Sequence, residues 1–489
     1  IYIPSYRIKV EEIAKIWGRV TGDMNIKGNL SIQSGIYQIN NNTGGAVRTI
    51  NTLGSVNIGV NGRIQLGTGN FNHEFIVKGD FTNNGVVRFT NQATPNYQAA
   101  PTNGRADAVF NNTSADQSIV CNGQTDFYRI EIKKDDIAYV LNIDASETDN
   151  FRLFGRNNHN PEGTPPNIPN PQALGLLSGT VRLGENIVIP SIAETGVYNI
   201  DEDAMIWLDG ASVRYSTQTN TADGTTLIIY GGLRISGNSV FNDNSKQGLV
   251  MRTTSSLLIE DGNVTTECVR TSYEAGTHRG AFTMTGGELT IRAVSLPDLN
   301  GMDVYAAFTL PYPDNTLTIA GGTINIESPN PRGNGSGTNF SYVVGANPNN
   351  ISITGGVFNI TVPAARNAYI ASIAPFWDLN IISAATNRSA QPRTYTSNSR
   401  VPVPIPAQPL VVLNNLTLVN RAVLTSGPDN VDVSIGNNFT VNTNTTYTPG
   451  TNTTTFNGTG SQAFTYSGTI TSGLNNLPLG GTSSLTLGG

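Results

Sequence analysis

One ten-residue pattern, met four times between Leu257 and Ile360, limits what this chain can fold into more than any other feature. It reads Leu257-Leu-Ile-Glu-Asp-Gly-Asn-Val-Thr-Thr266, then Phe282-Thr-Met-Thr-Gly-Gly-Glu-Leu-Thr-Ile291. It returns as Leu317-Thr-Ile-Ala-Gly-Gly-Thr-Ile-Asn-Ile326 and Ile351-Ser-Ile-Thr-Gly-Gly-Val-Phe-Asn-Ile360. The copies start at 257, 282, 317 and 351, intervals in the range of solenoid repeats. Within a copy, apolar and polar residues alternate, the period of a half-buried strand. The odd interval between Ile319 and Ile324 turns a straight strand's second apolar pair outward. A glycine corner at Gly321-Gly322 restores it, because glycine accepts turns that other residues resist. Strand, corner and strand then make two sides of a coil. Stacked coils pair every backbone group and align Met284, Ile319 and Ile353 in one apolar column. The expected fold is all-β: a right-handed parallel β-helix, or β-solenoid, with loop insertions.

The rest of the chain divides around this pattern. Residues 1–23 are atypical, and Val10-Glu-Glu-Ile-Ala-Lys-Ile-Trp17 suits one or two helical turns of an N-terminal cap. Coil-like alternation over 24–156 forms a first block. A tract with five prolines, 157–172, is incompatible with ladder strand and reads as a surface loop. A second block with insertions covers 173–390, a Pro-rich linker 391–409, and a third block 410–489. The final Ser484-Leu-Thr-Leu-Gly-Gly489 resembles half a repeat, so the coil is expected to continue beyond the chain end. The start at Ile1, with no visible signal peptide, fits a processed export product or a piece of something longer.

Composition supports strands and excludes some partners. Charged residues are 13% of the chain, glycines number 52 of 489, and Asn and Thr are abundant, as tight corners and polar ladders require. A net charge of −6 provides no electrostatic footprint for nucleic acid, and no apolar run reaches the ~18 residues of a membrane span. Cys121 and Cys268 fall several coils apart and read as small buried hydrophobes, not a disulfide.

The last block carries a resemblance. Asn414-Asn-Leu-Thr-Leu418, Gly436-Asn-Asn-Phe-Thr-Val441 and Thr454-Thr-Phe-Asn-Gly-Thr-Gly-Ser-Gln462 look like repetitive regions of large bacterial surface proteins. Those are adhesins and gliding or biofilm proteins exported by the type IX secretion system. Thr455–Phe464 also echoes Val109–Ile119 in its Phe-Asn, its small polar turn and its Gln before an apolar residue. The resemblance covers mainly the first 150 and last 80 residues. It implies an extracellular, cell-surface protein, although the sorting domain usual in that group is not found here.

Chemistry is sparse. Arg270, His278, Arg279, Arg292, Asp298, Asp303 and Asp314 flank the repeats, and the candidate catalytic groups are Asp298, Asp303 and Arg279. The paired-Asp and Gly-His-Gly motifs of pectin-cleaving β-helices are missing. Candidate metal ligands are Asp201, Asp203 and Asp209, although their spacing is not that of an EF-hand. His73, His159 and His278 are scattered, without zinc-ligand spacing. Aromatics in the insertions, Tyr305, Tyr312, Tyr342 and Trp377, are the candidate ligand-binding residues, and Phe340, Tyr369 and Phe376 accompany them. No cofactor is implied. The leading expectation is a non-enzymatic structural and adhesive protein, whose β-helical stalk presents loops to a glycan or protein, with further subunits of a surface assembly as possible partners. The alternatives are a β-helix polysaccharide lyase or glycoside hydrolase, and a phage tail-spike or fibre segment.

Overall fold

The computed structural model describes residues 2–3, 17–20, 22–39, 46–95, 103–155, 173–189, 197–216, 226–243, 248–271, 279–293, 306–329, 340–385, 387–396, 404–480 and 484–488. They form two compact units, 1–227 with 231–242, and 228–230 with 243–489. Each is a parallel β-solenoid: every ladder between described strands is parallel, and antiparallel contacts are confined to isolated bridges.

In the second unit the four repeats stack in register. Leu257 lies opposite Phe282, then Leu317, then Ile351. Met284, Ile319 and Ile353 form the expected column, all buried, and Val264, Leu289, Ile324 and Phe358 form another. The glycine corner has two separate causes. Gly262, Gly287, Gly322 and Gly356 have φ between +72° and +94°, a conformation other residues adopt at a cost. The preceding Gly321 instead yields space: a Cβ there meets the Thr285 carbonyl oxygen of the coil below at 2.5 Å.

The coil has three sides, not the two that alternation reveals. Leu249–Met251, Val269–Thr271, Ala306–Leu310 and Phe340–Val344 form a third ladder, and the last two lie inside the longer intervals after Ile291 and Ile326 that look like pure insertion. These strands are buried along their whole length, so they carry no period-2 signal. Part of the covering is the Pro-rich tract. Tyr395 and Ile405 pair antiparallel and pack with Phe340, Val343 and Tyr369 on the outside of this ladder. The tract read as a linker therefore does not separate two ladders: Asp378–Ser383 pairs directly with Leu416–Asn420 across it.

Outward positions on the opposite sheet hold one small polar residue per coil. Thr265, Thr290, Asn325, Asn359, Asn380, Thr417, Thr440 and Thr465 are in register. Amides pass hydrogen bonds up the stack, Asn359 to Asn325 at 2.7 Å and Asn380 to Asn359 at 2.8 Å. At the adjoining corner Asn414, Asn415, Asn437 and Asn438 form a similar chain anchored on Asp378. The Asn-Asn pairs of the resemblance are thus corner ladders.

In the first unit the interior is a run of rings. Phe75 and Phe89 lie 5.0 Å apart, Phe81 and Phe127 5.9 Å, and Phe127 and Phe151 5.9 Å. The echo between residues 109–119 and 455–464 has a common physical cause. Gln117 accepts from the Asn112 N–H and donates to the Val77 and Gly79 carbonyls. Gln462, in its own unit, accepts from the Gly458 N–H and donates to Ile435 and Asn437. Each glutamine ties a loop to the coil before it. Beneath the first of these loops, Lys134 is buried and donates to the Asn112 and Ala115 carbonyls and to Gln117 Oε1. Burial pulls its ammonium down to about 8, while Asp116 and Asp80 oppose this.

Trp17 opens a strand, Trp17–Val20, paired with Leu30–Ile39, so the proposed helical turns do not include it. The other residues of that helical segment lie outside the described ones. The two cysteines are free and buried, each in its own unit.

Candidate functional site

Among the described residues, those singled out by sequence do not come together. Asp298, Asp303, Tyr305 and His278 lie outside the described residues. Arg279 and Asp314 are exposed. Tyr342 is a correction: it points into the core, fully buried, stacked on Phe308 at 5.1 Å and packed against Phe358 and Phe376. A ring enclosed in this way has no face for a ligand. Tyr312 is also buried, at 5% exposure, and Trp377 is half-buried. Tyr369, Phe340 and Phe376 are packing residues, although the Arg393 guanidinium lies over the Tyr369 ring at 4.7 Å.

The acidic triplet is a second correction. Asp203 precedes the strand Ala204–Asp209, and that strand separates it from Asp209 by roughly 20 Å of extended backbone. Asp209 is already engaged, accepting from Arg182 at 2.8 Å and Ser236 at 2.7 Å. Burial alone raises its carboxyl, but these hydrogen bonds and the Arg182 and Arg234 charges carry it below the usual range. Among the described residues no group of three His, Cys, Asp or Glu side chains is placed to hold a metal.

What the fold does assemble is a rank of side chains on the outside of the first unit. Arg182, Trp207 and Arg234 occupy the same position on three successive coils. The Arg234 guanidinium lies 4.1 Å from the Trp207 ring centroid and that of Arg182 lies 5.5 Å away. Trp207 Nε1 donates to Ser236 Oγ at 2.8 Å, and Asp209 fixes Arg182 from the side. The indole is locked in place, and the rank remains partly exposed. Such a row offers cationic donors along one line with little conformational entropy left to lose.

Comparison with protein-family models, curated proteins and solved structures returns no match.

A second cluster lies on the adjacent sheet of the same unit. Glu74 and Asp107 are ladder neighbours, and Arg129 follows Asp107 in the next coil. Arg129 Nη1 is 2.6 Å from Glu131 Oε2 and 3.6 Å from Asp107 Oδ2. Burial raises the Asp107 carboxyl, against Arg129, and raises Glu74 with help from the Glu131 and Asp107 charges. Two carboxyls biased towards holding protons beside a guanidinium are the ingredients of acid–base chemistry. A third row, Arg88–Asp126–Arg152, is structural: Asp126 is fully buried and paired to both arginines, at 3.0 and 2.7 Å.

Sequence reading missed the Arg–Trp–Arg rank because its members sit on different coils. Their signal is positional. Each is the polar-facing residue in Val181-Arg-Leu183, Ile206-Trp-Leu208 and Leu233-Arg-Ile235, visible once the coils are aligned.

Proposed function

We propose that this chain is a non-enzymatic structural and adhesive protein of the extracellular, cell-surface kind, related in design to repetitive bacterial adhesins and gliding or biofilm proteins. The solenoid acts as scaffold, and surface ranks make contact with a glycan or a protein. The observation that carries the reading is the Arg182–Trp207–Arg234 row, because Trp and Arg held rigid on a regular sheet are the residue types that dominate binding energy at surfaces. The Asn-Asn corners and the two glutamine ties support the likeness to such repeats, since they are the features that let short coils stack without helices.

Binding to immobilised neutral and acidic polysaccharides, and to whole cells, tests this directly. Trp207→Ala is expected to weaken retention at least tenfold while far-ultraviolet circular dichroism stays unchanged. Equal retention by the variant removes the rank from the account.

The Glu74, Asp107, Arg129 and Glu131 cluster favours a second reading, a β-helix polysaccharide lyase or hydrolase with Asp107 as proton donor. Sustained release of oligosaccharides from a polysaccharide panel, abolished by Asp107→Asn, would replace the adhesive reading with this one.

A further inference from the structure

Some charged side chains among the described residues are well provided for. Lys134 has three oxygens around it, Asp126 has two arginines, and Arg292 Nε lies 2.9 Å from Glu267. Arg270 is different. It stands in the middle of the strand Val269–Thr271, between Val250 and Thr309 of the neighbouring coils, and is only 5% exposed. Its Nε and Nη2 have no hydrogen-bond partner, and no carboxylate among the described residues pairs with it. Burial disfavours its ionised form most, Cys268 works the other way, and Arg252 adds a smaller cost of the same sign as burial. Arg252 is held at this place by Tyr230, whose hydroxyl accepts from Nη1 at 2.7 Å.

An unpaired guanidinium removed from water, with a second one beside it, is a costly arrangement unless an anion completes it. The free groups also specify the anion's shape. Nε and Nη2 form the edge of the guanidinium on which two N–H bonds run parallel, the geometry that grips two oxygens of one oxyanion. Lysine lacks this fork, and a spherical halide fills only one of its two positions. The flanking Val250 and Thr309 carry no charge, so nothing on the strand competes for the ligand.

We propose that Arg270, supported by Arg252, binds one oxyanion: a carboxylate, sulfate or phosphate group, either free or carried by an acidic sugar. The site is in the second unit and is independent of the Arg182–Trp207–Arg234 rank, so it stands or falls separately from the adhesive reading.

The test uses the full chain in a buffer with chloride as the sole anion, to which sodium sulfate, sodium phosphate or a galacturonate oligosaccharide is added at constant ionic strength. Calorimetry and thermal unfolding are followed together. Wild-type protein is expected to bind at least one of these saturably and to unfold at a temperature that climbs with its concentration. Arg270→Met is expected to abolish both effects, and Arg270→Lys to weaken binding at least tenfold. Should Arg270→Met not fold, Arg252→Met serves instead and is expected to weaken binding severalfold. Tighter binding of the oligosaccharide than of sulfate identifies an acidic glycan as the source. Binding of sulfate or phosphate alone identifies a free anion. A wild-type response no greater than that to added chloride overturns the proposal, as does an undiminished response in the Arg270 variants.

Discussion

Replacing Gly321 by alanine tests whether the corner, and not the strands alone, holds the coil in register. The added Cβ falls 2.5 Å from the Thr285 carbonyl oxygen, well inside the ~3.2 Å at which carbon and oxygen normally touch. Neither partner is free to yield. The Ala320 N–H is bonded to Met284 O at 2.8 Å and the Thr323 N–H to Gly287 O at 2.9 Å, so the ladder pins both sides of the corner. Overpacking of this kind costs about 1–3 kcal/mol. Alanine's lower backbone entropy in the unfolded chain returns about 0.4–1 kcal/mol, because Gly321 is not in a left-handed conformation. A net loss of about 1–2 kcal/mol is expected, confined to the coils that meet there. Amide hydrogen exchange reads it locally: roughly tenfold faster exchange in 316–326, with distant coils unchanged. Gly28→Ala is the control, since nothing lies within 4 Å of its Cβ and its φ is not positive; it is expected to be neutral or slightly stabilising. Equal exchange in Gly321→Ala and wild type would refute the claim that coil-to-coil approach, not turn geometry, demands the first glycine.

Two further expectations concern pH. His73 is buried and its Nδ1 accepts the Arg48 N–H at 3.0 Å; burial, then the Arg48 charge, depresses it to about 4. Its contribution is therefore complete above the unfolded value near 6.5 and is lost as pH falls towards 4, up to about 3 kcal/mol. His73→Asn, compared with wild type in urea titrations at pH 7 and 4.5, is expected to remove most of this slope, even though the raised Glu74 and Asp107 carboxyls act in the opposite direction in both proteins. Lys134, depressed to about 8, gives the alkaline counterpart: stability grows as pH rises from about 8 towards 10.5, by up to about 3 kcal/mol, and Lys134→Met is expected to flatten this rise. Identical pH slopes in wild type and variant dispose of either assignment.

The sequence by itself determined the strands, the glycine corners and the inward aliphatic column, because alternation and Gly-Gly placement are local consequences of a half-buried ladder. Met284, Ile319 and Ile353 are in line because each occupies the same place in its ten-residue pattern. Tertiary structure alone decided the rest. Strands buried on both faces, such as Phe340–Val344, lose the alternation that announces a strand, so the third side of the coil and the core position of Tyr342 were not legible. Side chains that form a surface rank, Arg182 with Trp207 and Arg234, are a full coil apart in sequence and adjacent only after stacking. The isolation of Arg270 is likewise invisible beforehand, because it depends on which neighbours the packed coils deny it.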